Sequence, residues 1–303
     1  MLYTIDDKRI TPIKQIDFKL ERSLQNLVEK NLDVLFNLDF LASEFVLKNF
    51  RYDSVAYDKD NNSFVIIEYK RGKNESLVDQ GYAYLNTALD RKSDLVLLYN
   101  KINNQNMQVT DFDWSALRVF FISPKFTTYQ KTATGYQKMP FRLFEINKFK
   151  NNIILVNEIN NEKIIDNPIV TSSNSPIGKV SKEIKVYSEE DHCVGLSQSL
   201  IDLYYSLRER ILALGNIDIK PTKLYIAFKV GNTNITDIEM FKSYLKVFIN
   251  VKKGQLDDIL HKAKDISNVG HHGNGNYCFN LKNDDDLEYL LSLIKQSYRI
   301  NTL

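Results

Sequence analysis

A chain of 303 residues, 43% hydrophobic and 26% charged, is long enough for one large or two ordinary globular domains. Forty Lys and Arg against 38 Asp and Glu leave a net charge of +2, which excludes a global basic field and confines any nucleic-acid binding to local patches. Two cysteines exclude a disulfide framework, no window of about eighteen apolar residues marks a membrane span, and residues 1–8 lack the regions of a secretory signal; a cytoplasmic protein is expected, with no membrane partner.

The first helix begins near Phe18, where Leu20, Leu24, Leu27, Val28 and Leu35 form a helical stripe. Residues 41–50 read as a strand. Asp53-Ser54-Val55-Ala56-Tyr57 alternates, and Phe64-Val65-Ile66-Ile67-Glu68-Tyr69-Lys70 is β-branched and aromatic, so both read as strands. The turn formers Asp58-Lys59-Asp60-Asn61-Asn62 join them as a hairpin.

Folding the chain back about that turn brings Asp53 to within about one residue of the position facing Glu68, where facing Cβ atoms lie ~4.5–5.5 Å apart. Two carboxylates that close repel each other. A bound Mg²⁺ or Mn²⁺ offsets the repulsion and keeps coordination sites open for phosphate and water. Alternation puts Phe64, Ile66, Glu68 and Lys70 on one face, so the Lys70 ammonium points with the carboxylates and is suited to hold an attacking water and offset charge on a phosphate.

Arg71-Gly72-Lys73-Asn74-Glu75-Ser76 is a basic turn with polar residues able to cap a helix over 77–89. Gln80 and Tyr84 stand at i and i+4 in that helix and face the same way. Gly81 costs helix stability, which points to close packing or backbone approach at that position. Asp94-Leu95-Val96-Leu97-Leu98-Tyr99 reads as a later strand and residues 117–122 as another buried one. Lys125-Phe126-Thr127-Thr128-Tyr129-Gln130-Lys131 interleaves basic and aromatic residues, which suits a phosphate backbone and unstacked bases, although an amphipathic surface helix is the preferred reading. Residues 141–146 and 153–159 read as a closing hairpin.

Residues 171–178, Thr-Ser-Ser-Asn-Ser-Pro-Ile-Gly, carry a linker signature. The domain organisation expected is therefore 1–165, a linker over 166–185, and a small α+β domain over 186–303. In that last part residues 200–214 read as a helix closed by Gly215 at C′, residues 223–229, 244–251 and 276–281 as strands, and residues 284–297 as a helix whose three leading aspartates suit its dipole. Lys223, Lys229 and the Gly270-His271-His272-Gly273 turn are offered as possible nucleic-acid contacts; the paired histidines match no common zinc spacing.

Arg51-Tyr52-Asp53, Val65-Ile66-Ile67-Glu68-Tyr69-Lys70-Arg71-Gly72-Lys73 and Asp79-Gln80-Gly81-Tyr82-Ala83-Tyr84 resemble the PD-(D/E)xK nuclease superfamily, nearest its NucS-like and RecB-like branches. Leu207-Arg208-Glu209-Arg210-Ile211-Leu212-Ala213-Leu214-Gly215, followed by Pro221-Thr222-Lys223-Leu224-Tyr225-Ile226-Ala227-Phe228-Lys229, resembles a domain of unknown function commonly fused to such nucleases. The resemblance implies an α/β (α+β) fold, a restriction-endonuclease-like mixed sheet in the order αβββαβ followed by the small α+β domain. It implies that Asp53 and Glu68 bind the metal, that Lys70, Gln80 and Tyr84 complete the catalytic set, and that a glutamate of the first helix adds a ligand. Glu21 is the candidate for that glutamate and Glu29 the alternative; each reads equally as a solvated helix residue. Arg71, Lys73, Lys125, Tyr129 and Lys131 are the candidate nucleic-acid contacts.

The function expected is a Mg²⁺- or Mn²⁺-dependent DNA endonuclease of repair or of defence against foreign DNA, acting as a homodimer. The alternative is a non-catalytic module that grips nucleic acid or protein on a nuclease-shaped fold.

Overall fold

In a computed structural model, which describes residues 1–70, 76–134, 139–159, 176–270 and 273–302, the chain divides into two compact units, 1–186 and 187–303. Arg71, Lys73, His271 and His272 lie outside the described residues.

The first unit begins with a hairpin, β1 (Tyr3–Asp6) and β2 (Arg9–Pro12), then β3 (Gln15–Ile16), α1 (Glu21–Glu29) and α2 (Leu32–Phe36). There follow β4 (Leu38–Leu47), β5 (Phe50–Asp58), β6 (Ser63–Tyr69), α3 (Leu77–Asp90), α4 (Lys92–Asn103), β7 (Arg118–Ser123), α5 (Thr128–Thr134), β8 (Phe141–Phe149), β9 (Ile153–Glu158) and α6 (Pro176–Glu183). Hydrogen bonding orders one sheet as β3-β8-β7-β6-β5-β4, with β9 beside β8. β4, β5 and β6 run antiparallel, whereas β6–β7 and β7–β8 are parallel, which makes it the mixed-sheet α/β core expected from the sequence.

β6 is buried along its whole length, because helices cover both faces of the sheet. On one face Leu24, Val28 and Leu32 of α1 and α2 pack on Ala56, Val65, Ile67 and Tyr69. Opposite them, Leu77, Leu85 and Ala88 of α3, Leu95 of α4 and Val180 of α6 cover Val55, Phe64 and Ile66. Each Val, Leu, Ile or Phe side chain among them contributes about 1.5–3 kcal/mol when fully buried. A Cβ on Gly81 would lie 2.5 Å from Cε1 of Phe141, so the glycine lets α3 close onto β8.

Two expectations are corrected in this unit. Residues 94–99 lie in α4 rather than a strand. Leu95, Leu98 and Tyr99 recur at helical spacing and pack on the core, Leu97 between them is 68% exposed, and Asp94 in the first turn pairs with Arg91 at 2.7 Å. Part of the stretch read as linker, α6, is folded onto α3: its Val180 is fully buried and Ile184 nearly so.

The second unit contains α7 (Glu189–Cys193), α8 (Gln198–Leu212), β10 (Asp218–Pro221), β11 (Ile226–Val230), β12 (Thr233–Phe241), β13 (Tyr244–Ile249), β14 (Lys264–Asp265), β15 (Tyr277–Leu281) and α9 (Leu287–Thr302). Its strands form an antiparallel sheet in the order β10-β11-β12-β13-β15-β14. α8 and α9 pack through Leu203, Leu207, Ile211, Leu290 and Ile294 onto Ile226, Phe228, Val247 and Phe279. Gly215 is not a left-handed C′ residue: α8 ends at a right-handed Ala213, and a Cβ on Gly215 would collide with the Tyr298 hydroxyl. The three aspartates form a short turn, Asp284–Asp286, just before α9.

Candidate active site

The pairing of β5 with β6 ends at Ser54 opposite Ile67, so Asp53 and Glu68 are the next residues in register, at the end of the ladder. Strict alternation breaks at this point. Tyr52 lies on the α3 side, where its hydroxyl donates to the Tyr84 carbonyl at 3.0 Å, and Val55 packs in the same core. Ser54 between them faces α1, where its hydroxyl donates to Glu29 Oε1 at 2.7 Å. The slip coincides with an irregularity on β4, where Glu44 takes a left-handed φ of 54° between the pairs Ser43–Ser54 and Phe45–Tyr52. The bend leaves Asp53 Oδ2 to accept the Tyr69 N–H at 2.9 Å, while Asp53 Oδ1 accepts nothing from the described residues.

Glu68 continues the alternation of Phe64 and Ile66 and so faces α3. It is 6% exposed, and both of its oxygens are held in place. Oε1 accepts from Gln80 Nε2 at 2.8 Å and lies 3.1 Å from Lys70 Nζ, and Oε2 accepts from the Tyr84 hydroxyl at 3.0 Å. Gln80 Nε2 also donates to the Tyr84 hydroxyl at 2.9 Å, as the i, i+4 spacing on α3 requires. Ser76 caps that helix by accepting from the Asp79 N–H, and the Tyr84 ring is held by Tyr52 and Phe50 at centroid distances of 4.8 and 5.5 Å. Asp53, Glu68, Lys70, Gln80 and Tyr84 therefore meet in one place.

Burial first, and then the neighbouring Glu68 charge, push the Asp53 carboxyl up to about 7; the Tyr69 N–H opposes the shift, and Glu44 and Glu21 add to it. Burial followed by the Glu68 charge raises the Tyr84 hydroxyl far above its ordinary range, so it remains a donor at neutral pH. The donor set fits a hard divalent cation: two carboxylates approach from adjacent strands, and Gln80 Oε1, beside Glu68, is buried without a partner among the described residues. Among the described residues no group of three or more His, Cys, Asp and Glu side chains converges to hold an ion. A two-carboxylate set suits Mg²⁺, which keeps waters and takes further oxygens from phosphate.

The remaining candidates are placed as follows. Glu21 opens α1, is exposed, and adds its charge to the field at Asp53. Glu29 Oε1 is taken up by Ser54 and by Gln25 Nε2 at 3.0 Å, on the α1 side of the sheet. Lys125 is exposed, Tyr129 is 76% exposed beside a cleft lined by Ser76, Asp79 and Met139, and Lys131 pairs with Glu145 at 2.7 Å. In the second unit Lys223 is exposed, but Lys229 is buried in the sheet and presents no surface to a nucleic acid. Sequence reasoning missed Glu44 and Gln25, whose parts depend on a left-handed backbone at Glu44 and on partners up to 28 residues distant.

Residues 189–301 match a family model described as a domain of unknown function, DUF5655. The chain is 41% identical over 300 residues to an uncharacterized protein of Haemophilus influenzae strain KW20 / Rd, covering 98% of this chain and 99% of that one. Among solved structures it is similar to a repair endonuclease from Pyrococcus abyssi at 20% identity and a TM-score of 0.25, covering 39% of this chain and 44% of that one. An EndoMS–dsDNA complex matches at 17% and 0.23, covering 43% and 47%, and SfsA of Pyrococcus furiosus in complex with Ca²⁺ at 11% and 0.24, covering 46% and 62%. The chain thus spans less than half the length of the first two of these structures. No helix among the described residues is long and apolar enough to cross a membrane.

Proposed function

We propose that this chain, which belongs to the same family as the uncharacterized Haemophilus influenzae protein, is a divalent-metal-dependent endonuclease that hydrolyses phosphodiester bonds in DNA, in repair or in defence against foreign DNA. One observation carries the reading: a nearly buried Glu68 lies beside Asp53 with an ammonium, an amide and a phenol within hydrogen-bond reach. DNA as the substrate rests on the resemblance of the Glu-x-Lys and Gln-x-x-x-Tyr segments to PD-(D/E)xK nucleases.

Asp53 and Glu68 would hold Mg²⁺ or Mn²⁺. The ion, when bound, polarises the phosphoryl group and offsets the charge of the two carboxylates. The protein's own groups do the rest. Tyr84 and Gln80 fix both oxygens of Glu68, so that the carboxylate keeps one orientation without reorganising. The Lys70 ammonium stands where it can donate to an attacking water and to the phosphate oxygens as their charge grows. The raised Asp53 carboxyl gives up its proton near neutral pH, which ties metal loading to pH.

The test is cleavage of labelled single-stranded, duplex and flap DNA, and of RNA, by wild type and Lys70→Ala with Mg²⁺, Mn²⁺ or chelator. Wild type is expected to cut a DNA form only with metal, and Lys70→Ala to lose at least about a hundredfold in rate. Cutting that survives chelator, or equal cutting by both proteins, would rule the reading out. Metal-independent DNA binding without cutting would favour the non-catalytic module.

A further inference from the structure

We propose that Gln25 and Glu29 of α1 are positioning residues that set the Asp53 carboxylate toward Glu68 by gripping the strand from behind. The inference rests on the metal-centre reading and concerns the opposite face of the sheet from the one that carries Glu68.

Gln25 is 7% exposed, and its amide Nε2 lies 3.0 Å from the Asp53 carbonyl, 3.0 Å from Glu29 Oε1 and 3.1 Å from Ser43 Oγ. Glu29, one turn later, accepts from the Ser54 hydroxyl at 2.7 Å. One helix thus holds two successive residues of β5, Asp53 by its backbone and Ser54 by its side chain. These are the residues at which alternation slips and beyond which the β5–β6 ladder stops. Opposite them β4 pairs Ser43 with Ser54 and Phe45 with Tyr52 but turns left-handed at Glu44 between those pairs, so neither neighbouring strand pairs with Asp53 itself. The Asp53 carbonyl takes a side-chain amide instead, and the same amide nitrogen also meets Ser43 on the facing strand and Glu29 on its own helix.

A helix side chain that fixes the backbone of a ligand residue acts on the ligand's aim, not on the ion. Loss of such a support lowers metal affinity about 10–100-fold in known sites. Ser43, Glu29 and the Asp53 carbonyl thus meet one glutamine amide at the back of the sheet, and Ser54 joins them through Glu29.

The experiment is titration of Mn²⁺ alone into the full chain at pH 8, read by calorimetry, with thermal unfolding of each protein measured alongside. Gln25→Met, which keeps the volume and removes the amide, is expected to weaken Mn²⁺ binding about tenfold. Ser54→Ala, a milder change that relaxes the other half of the grip, is expected to weaken it in the same direction. Glu29→Gln retains the acceptor oxygen and is expected to bind within about threefold of wild type, whereas a loss as large as that of Gln25→Met would mark Glu29 as a ligand and overturn its positioning role. Val28→Ala, which removes core packing from the same helix, is expected to lower the melting temperature and leave affinity unchanged. If wild type binds Mn²⁺ and Gln25→Met binds it equally well, or if Val28→Ala weakens it as much, the positioning role is wrong while the metal centre stands. If wild type binds none, the metal centre itself is wrong and the inference falls with it.

Discussion

Glu68→Gln is expected to reduce metal-dependent DNA cleavage at least about a thousandfold while leaving the protein folded. The substitution is isosteric, so the β6 backbone and the core around Phe64 and Ile66 are untouched. It removes a negative charge that Lys70, Gln80 and Tyr84 all address. Its new amide N–H₂ must face donors: Gln80 Nε2 and Lys70 Nζ both point at Oε1, and only the Tyr84 hydroxyl can rotate to accept. Such a mismatch at a nearly buried site costs about 1–3 kcal/mol of stability, too little to unfold a typical domain. Activity and unfolding measured on one preparation separate the two effects. A fold-intact Glu68→Gln enzyme that cuts within tenfold of wild type would remove Glu68 from the chemistry.

Asp53→Asn is expected to abolish cleavage and, in metal-free buffer above pH 7, to make the protein more stable than wild type. The sign follows from the Asp53 carboxyl, raised from 3.8 to about 7 by burial and by Glu68. Because the folded state holds this proton more tightly than the unfolded chain, the associated stabilisation is complete below about pH 4 and is lost as pH rises through 7. Above 7 wild type carries a partly desolvated charge beside a second carboxylate. At about 1.4 kcal/mol per pKa unit, a shift of this size corresponds to at most about 4–5 kcal/mol, which solvent screening of the half-buried group reduces, and the neutral asparagine avoids it while its oxygen still accepts the Tyr69 N–H. Urea unfolding from pH 5 to pH 8.5 should therefore show the variant's advantage growing through neutrality. The same proton must leave when a cation loads, so calorimetry in buffers of different ionisation enthalpy should find about one proton released at pH 6 and almost none at pH 8.5. Equal pH profiles for the two proteins would show that Asp53 is not held in this way.

The residues of the site are legible in the sequence because they sit on periodic elements. Alternation along Phe64, Ile66 and Glu68 fixes the face of Glu68, the turn formers at 58–62 fix the register to Asp53, and a four-residue spacing brings Gln80 and Tyr84 together. What was hidden depends on distant partners. Gln25 reads as any polar helix residue until α1 docks behind β5, and a left-handed glutamate at position 44 has no local signature. The run at 94–99 is apolar enough for either element, and only docking on the core shows that Leu97 points outward. In the second unit β12 escaped notice because Asn234 and Asp237 look like loop residues, yet both are buried, Asn234 Nδ2 donating to Asp237 at 2.8 Å and Asp237 accepting the Asn274 N–H at 2.6 Å.

Diffraction from crystals of the wild-type chain grown with Mn²⁺, recorded at a wavelength where manganese scatters anomalously, addresses the metal centre most directly. The expected result is one strong peak bound by oxygens of both Asp53 and Glu68, with Lys70 beside it, and no such peak in Asp53→Asn crystals. A peak elsewhere on the chain, or none at these two carboxylates at saturating Mn²⁺, would contradict the metal centre and the hydrolysis built on it.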